Sequence, residues 1–196
     1  MKCIKCSNKA DYKIGTNPFC SQCFLLIIEK RVRKELRKKK LIKKNDKILV
    51  LDDDSHKSKN TIILLESILK DLPCSIKIKR TNYFLTQKIK TDCNKIIIPW
   101  NLDDECEYFF KCLFNKKNPE FIGHFLFNGK KHIKLLIDVT EKESITFAKI
   151  KSIDFKKSNK KSMVNNFLDK ISKNHPETKY SLGKCIKTLK NLNVFI

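Results

Sequence analysis

Two Cys-x-x-Cys pairs open the chain, Cys3 with Cys6 and Cys20 with Cys23, with thirteen residues between them. This feature constrains the fold most, because residues 1–23 are polar, turn-rich and short of apolar side chains. Such a segment cannot bury enough surface to fold unaided, so a bound metal has to supply the missing stability. Each pair can chelate through a tight turn, and four thiolates then fill the tetrahedral sites of one Zn(II). A closed site of that kind has no position for a substrate or a reactive water, and its role is structural. A redox dithiol pair or an iron site would use the same donors.

The chain has nine cysteines, an odd number that argues against a disulfide framework and for reduced thiols. Cys74, Cys106, Cys112 and Cys185 sit in or beside apolar segments and read as core thiols. Cys93, in the polar stretch TDCNK, fits that reading less well. His124, His132 and His175 have no neighbouring ligand pattern and are expected to be structural or surface residues.

Beyond the cysteines, the sequence divides into a four-cysteine module (1–23), a basic linker helix (24–44) and an α/β domain (45–196). At 196 residues one core suffices. In the linker, Leu25, Ile28, Val32 and Leu36 recur at helical spacing and leave the other face to Lys and Arg. KILVL (47–51), CSIKIK (74–79), KIIIP (95–99) and HIKLLI (132–137) read as strands. Residues 60–72, 103–114, about ten residues after Thr140, 162–173 and 180–192 read as helices. Thr140 and Glu143 form a capping-box pattern. Alternation of this kind implies a Rossmann-like parallel sheet with helices on both faces.

Charge bounds the partners. Lys and Arg total 43 against 21 Asp and Glu, a net charge of +22, whose natural counterpart is a polyanion. No apolar run approaches the ~18 residues that a membrane span needs. The N-terminus does not read as a secretory signal, so a cytoplasmic protein is expected. Between Glu29 and Lys44 there are ten Lys or Arg against two Glu. Lys30, Arg31, Arg33, Lys34, Arg37, Lys38, Lys39 and Lys40 are therefore candidates for phosphate contact with RNA. Lys156, Lys157, Lys160 and Lys161 form a second, weaker cluster. Trp100, Tyr83 and Phe84 could stack on bases but fit a core role better.

ILVLDDDSHKSKNTIILL places a polar loop between a strand and a helix, where α/β proteins cradle phosphates. Its chemistry opposes that use. There is no glycine between Lys47 and Lys95 to let backbone N–H groups approach an anion, and Asp52, Asp53 and Asp54 carry the wrong sign. The alternatives are carboxylates that cap the next helix, or a Mg(II) that bridges them to phosphates.

Together these residues resemble the PP-loop tRNA thiolation family, whose members make 2-thiouridine at the wobble position of cytoplasmic tRNA. KCIKC, FCSQCF and the helix ending at Leu41-Ile42 are similar to the family's zinc module and linker. CNKIIIPWNLDDECEYFFKCLF resembles the segment whose core reads GHNLDD, with Asn101, Asp103 and Asp104 at matching positions. IKLLIDVTEKESITFAKIKSIDF and FLDKISKNHPETKYSLGKCIKTL resemble the later helical segments. The resemblance implies the adenine nucleotide alpha-hydrolase-like fold.

This sequence departs from the family at its chemistry. The family's SGGxDS falls on Asp53, Asp54, Ser55, His56, Lys57 and Ser58, and only the last residue agrees. Gly-His before NLDD is here Pro99-Trp100. Of the thiols that carry sulfur or an iron–sulfur cluster in catalytic members, only Cys93 has a counterpart. The pattern is similar to the noncatalytic subunit of the thiolation heterodimer. It implies no ATP binding, tRNA as ligand, and a catalytically intact PP-loop subunit as partner. Alternatives are a divergent active sulfurtransferase using the aspartates with Mg(II), or a general RNA-binding zinc protein.

Overall fold

A computed structural model describes residues 1–81, 89–156 and 162–192. Tyr83, Phe84, Lys157, Lys160 and Lys161 lie outside these residues.

The first two elements are short strands, β1 (Tyr12–Ile14) and β2 (Asn17–Phe19), paired antiparallel. Their two-residue turn begins at Gly15, whose φ of 59° a side chain would resist. α1 (Ser21–Lys38) follows at once and buries Phe24, Ile28, Val32 and Leu36. It starts inside the expected cysteine module, so Cys23 lies in its first turn. It ends six residues before Lys44 because Lys40 turns left-handed (φ 47°) and the Leu41 N–H returns to the Leu36 carbonyl, burying Leu41.

The main sheet has the order β4-β3-β5-β7-β6. β3 (Lys47–Asp52), β4 (Ser75–Arg80), β5 (Lys95–Asn101) and β7 (Lys130–Leu136) run parallel. β6 (Phe125–Phe127) is an antiparallel edge strand. The sheet is therefore mostly parallel. β6 has only three residues and no alternation of its own; it forms because Asn128-Gly129 turns the chain with both residues at positive φ, the I′-type geometry that favours hairpins.

The helices match the expected segments, with shifted ends. α2 (His56–Leu69) begins four residues before Asn60 because Ser55 caps it, accepting from the Ser58 N–H. α3 (Leu102–Phe114) and α4 (Glu141–Ile150) each open on a capping box, Asn101 with Asp104 and Thr140 with Glu143. α5 (Met163–Asn174) and α6 (Thr178–Asn191) close the described chain.

One core lies on the α1, α2 and α4 side of the sheet, where Phe24, Ile28 and Val32 meet Ile48, Val50, Leu64, Ile97, Ile133 and Phe147. Leu49, Leu51, Ile96, Ile98 and Phe125 line the other side. α3 packs there, with α5 and α6 on its far side around Leu102, Cys106, Phe109, Leu168 and Ile186. Between α3 and the sheet lies Lys134, fully buried. It donates to Glu105 at 2.5 Å and to the Phe121 carbonyl at 2.6 Å, and sits 4.5 Å from the centre of the Trp100 ring. Trp100 donates its indole N–H to the same Glu105, so this ring packs half-buried against the core.

The other thiols divide. Cys93, Cys106 and Cys112 are buried and Cys74 is half-buried, but Cys185 is exposed on α6. That corrects the core reading of Cys185: its apolar neighbours Leu182 and Ile186 turn inward and leave position 185 on the outer face. His124 and His132 are buried, and His175 is exposed. Among the described residues no helix is long and apolar enough to cross a membrane.

Candidate functional site

The cysteine module brings all four Sγ atoms within 4.8 Å of one another. Cys6 lies 3.5 Å from Cys20 and 3.6 Å from Cys23. A tetrahedral ion with bonds of ~2.3 Å places its sulfurs about 3.8 Å apart, so the set fits a single ion. Four thiolates on separate irons of one cluster would have to stand farther apart. Local backbone builds both halves. Cys3 anchors a turn closed by Ser7 (φ 61°), and its Sγ accepts the Lys5 N–H at 3.5 Å. Cys20 is the N-cap of α1, which places Cys23 one turn on, beside it. Hydrogen bonding to Cys6, together with burial, pushes the Cys23 thiol up to about 12. Against burial, backbone hydrogen bonds bring the Cys3 thiol down to about 6; a bound cation would bring the set together as thiolates.

A second constellation lies at the carboxyl ends of the strands. β3 connects to β4 on one side and pairs with β5 on the other, which makes the β3/β5 boundary a topological switch point. α/β folds bind ligands in that crevice. The loop from Asp52 to Ser58 and the Asn101–Asp104 segment both end there.

The loop is closed on itself. Asp52 is buried and accepts from the Asp54 N–H (3.0 Å), Ser58 Oγ (2.7 Å) and Lys59 Nζ (2.8 Å). Asp53 accepts from both the N–H and the hydroxyl of Ser55, at 3.1 and 2.5 Å. Asp54, at φ 60°, faces Lys59 at 2.9 Å and Arg80 at 3.6 Å. Lys57 donates to both oxygens of Asp104, at 3.0 and 2.9 Å. Buried His56 stands 3.3 Å from Glu141, edge-on to Phe155.

The NLDD segment is tied down in the same way. Asn101 donates to Glu141 at 2.5 Å while capping α3. Asp104 accepts the Asn101 N–H at 2.9 Å. Asp103 takes the Glu141 N–H at 2.7 Å and pairs with Lys179. Burial holds the Asp104 carboxyl above its ordinary value, only partly offset by Lys57, while Asp104 draws Lys57 above its ordinary value against the burial of that ammonium. Lys59 and Ser58 overcome the burial of Asp52 and hold it below the ordinary carboxylate range. The aspartates thus converge on the Lys59 ammonium and on their own loop rather than on a common Mg(II) position. Among the described residues, only the four cysteines group as metal ligands.

The basic helix is less uniform than its sequence. Arg31 turns inward and donates to Glu143 at 3.0 Å and to the Asp138 carbonyl at 3.0 Å. Arg33 is bound to Glu29 at 2.7 Å and to the Ser67 carbonyl. Lys39 pairs with Glu35 at 3.1 Å. Lys30, Lys34, Arg37, Lys38 and Lys40 are exposed. Arg31 and Arg33 are therefore structural links between α1 and the domain, a role that only the inward heading of the helix reveals. Sequence reasoning missed Glu35, His124 and Lys187, whose cluster ties α1 to β7 and α6; their separation along the chain left no signal.

No family model matches the chain, and no curated protein matches it in sequence. Among solved structures it is similar to the U34-tRNA thiolase NcsA from Methanococcus maripaludis with its [4Fe-4S] cluster. The TM-score is 0.75 at 19% identity, covering 96% of this chain and 87% of that chain. The likeness is one of fold, and it spans both the cysteine module and the α/β domain.

Proposed function

We propose that this chain is a noncatalytic, tRNA-binding subunit of a tRNA wobble-uridine 2-thiolation complex, with a structural Zn(II) at Cys3, Cys6, Cys20 and Cys23. Its partner is a PP-loop subunit with an intact nucleotide loop. The fold shared with a U34-tRNA thiolase supports the pathway, and the excess of basic residues supports the ligand. One observation carries the noncatalytic role: Asp52 and Asp53 take the loop N–H and hydroxyl groups of Asp54, Ser55 and Ser58, and Asp104 takes Lys57. These loop donors are therefore taken up within the protein, and three carboxylates repel a triphosphate from the remaining N–H groups at the start of α2.

The Zn(II) would hold residues 1–23 to α1 and supply no reaction step, because four thiolates close its coordination sphere. The exposed basic residues of α1, Lys30, Lys34, Arg37, Lys38 and Lys40, would contact phosphates without reading bases.

Purified chain, ATP with Mg(II), a sulfide source and tRNA are expected to give no thiolated uridine by mass spectrometry of digested tRNA. Adding the PP-loop subunit that co-purifies with the chain restores the product. Calorimetry with ATP and Mg(II) is expected to show no binding heat. Thiolation by the isolated chain would end this reading.

A further inference from the structure

The charge of this molecule is segregated along the strand axis. At the carboxyl ends of the parallel strands stand Asp52, Asp53, Asp54, Asp103, Asp104 and Asp138. Most cations that reach this end are held by them: Lys57 by Asp104, Lys59 and Arg80 by Asp54, Lys179 by Asp103, Lys187 by Asp138. Lys142, and Lys156 whose backbone N–H donates to the Asp54 carbonyl, are exposed beside them. The crevice end is thus largely neutralised from within.

The amino-terminal ends of the same strands carry the opposite pattern. β3 opens on Lys47, β5 on Lys95 and β7 on Lys130 and Lys131. Register brings them together: Lys95 pairs directly with Lys131, and Ile48, next to Lys47, pairs with Lys95. Two inter-strand steps of ~4.8 Å therefore span the set. Lys43 and Lys44 join this rim from the segment between α1 and β3, and both are exposed, as is Lys47.

Few acids answer them. Asp46 is buried and accepts the Lys43 N–H and the Asn94 amide, at 2.7 and 2.8 Å. Asp92 pairs with Lys77 at 3.0 Å and lies within reach of the charge of Lys47. Asp71 is exposed. Of the six lysines only Lys130 has its ammonium bound among the described residues, to the Thr91 and Cys93 carbonyls.

Helix C-termini attract lysines through their dipoles, but strand starts carry little net dipole and have no such need. Like charges gathered within a Debye length of ~8 Å repel one another, and a polyanion relieves that repulsion by releasing its own counterions.

We propose that the amino-terminal rim of the sheet, Lys43, Lys44, Lys47, Lys95 and Lys131, is a docking surface for the RNA phosphate backbone, on the opposite end of the domain from the switch-point crevice. This placement rests on the tRNA reading above and goes beyond it, because it puts the RNA backbone away from the position where a nucleotide-binding relative of this fold would act. The chain then holds RNA with one end and leaves the crevice end to a partner. Lys40 extends the surface toward the tip of α1, where its left-handed turn leads into the rim.

The test uses the full metal-loaded chain and labelled unmodified tRNA, followed by anisotropy across ~50–200 mM salt. Two triple variants carry the same charge change: Lys43→Glu with Lys47→Glu and Lys131→Glu on the rim, and Lys170→Glu with Lys173→Glu and Lys184→Glu on α5 and α6. Melting curves confirm that each is folded, and lysine acylation of the wild type with and without tRNA gives a readout that needs no variant.

The rim variant is expected to lose at least about tenfold in affinity and to flatten the salt slope by about two. The control is expected to change little, and tRNA should protect Lys43, Lys44, Lys47 and Lys131 from acylation. Equal losses in both variants, or no protection of the rim, would overturn the placement and leave the thiolation reading intact. Rim-dependent RNA binding by a chain that never captures a PP-loop subunit would overturn that reading and keep the placement. A wild type without tRNA affinity overturns both, and so does rim-dependent binding to phosphatidylserine vesicles alone.

Discussion

The cysteine module and the loop after β3 are both short polar stretches lined with ligand-type side chains, and they end in opposite states. In the module, four sulfurs lie within 4.8 Å of one another, with no ion pair to a cation among the described residues. In the loop, three aspartates of equal ligating power are matched by Lys59, Arg80, Ser55 and Ser58. A cluster whose charges are matched within the protein is structural, whereas four thiols that share only weak S–H contacts, and would repel one another as thiolates, have room for a guest.

Removing the guest gives the largest expected effect. Cys20→Ser, or treatment with a strong chelator, should release one equivalent of metal, measured by atomic emission, and unfold residues 1–20. A structural Zn(II) contributes on the order of 10 kcal/mol to such modules. Because Cys3, Phe19 and Cys20 belong to the core beneath α1, the melting temperature of the whole domain should fall too. Retention of the native melting curve without metal would place the module with the self-satisfied loop.

Next comes the loop's own anchor. Asp52→Ala leaves the Asp54 N–H without its acceptor, turns the Ser58 hydroxyl over to the Ser55 carbonyl alone and removes one of the two carboxylates on Lys59, and is expected to cost about 2–3 kcal/mol in urea unfolding. A loss below about 0.5 kcal/mol would mean that the loop is not held by this carboxylate.

Acid should act on the loop and the α1 anchor together. Asp52 is held low by Lys59 and Ser58 against its burial. Glu141 is held low by His56, and Glu35 by His124 and then Lys187 and Lys39, likewise against burial. Their folded values lie below the unfolded ones, so their stabilisation is complete above the ordinary carboxylate range. It is lost as pH falls through the depressed folded values. Burial holds His124 and His132 below the ordinary imidazole range, so protonation of the unfolded chain should lower the melting temperature in calorimetry gently from about pH 6.5 downward, and the carboxylates should steepen the fall below about pH 4.5. A melting temperature that stays level down to about pH 4 would show that neither set of groups is held in this way.

The smallest effect is expected at Asp54, whose ion pairs are half-exposed and worth little. Asp54→Gly relieves a left-handed backbone at the expense of those pairs, and stability should change by less than about 1 kcal/mol. ATP affinity gained through this single change would show that the glycine, and not the remaining carboxylates, decides nucleotide binding.

The elements themselves were legible because each has a local cause. The run ILVL buries between neighbours in a parallel sheet and reads as a strand without knowing its partners. Thr140 and Glu143 cap α4 through bonds confined to four residues. Asn101 and Asp104 do the same for α3, which gives the NLDD segment a structural role that holds whether or not any nucleotide binds.

What failed to show in the sequence depends on pairing between distant residues. β6 exists because Phe125 to Phe127 found β7 across a hairpin; β4, read from CSIKIK, was legible as a strand, but not that all six of its residues would be exposed. Arg31 and Arg33 counted as free charge along the helix, yet Glu143, 112 positions on, and the Ser67 carbonyl claim them. Lys134 looks like any surface lysine until Glu105 and Trp100 close over it.

The amino-acid sequence by itself determined the two cysteine pairs, the alternation of strands and helices, the caps and the total charge, since each follows from composition or from contacts a few residues long. Tertiary structure alone decided which charges remain on the surface. The strands run parallel, so their acidic ends gather at the crevice beside Lys57, Lys59 and Lys179, and their lysine starts gather at the other end with few partners. Coulomb energy depends on distance in space, and only the folded chain sets that distance.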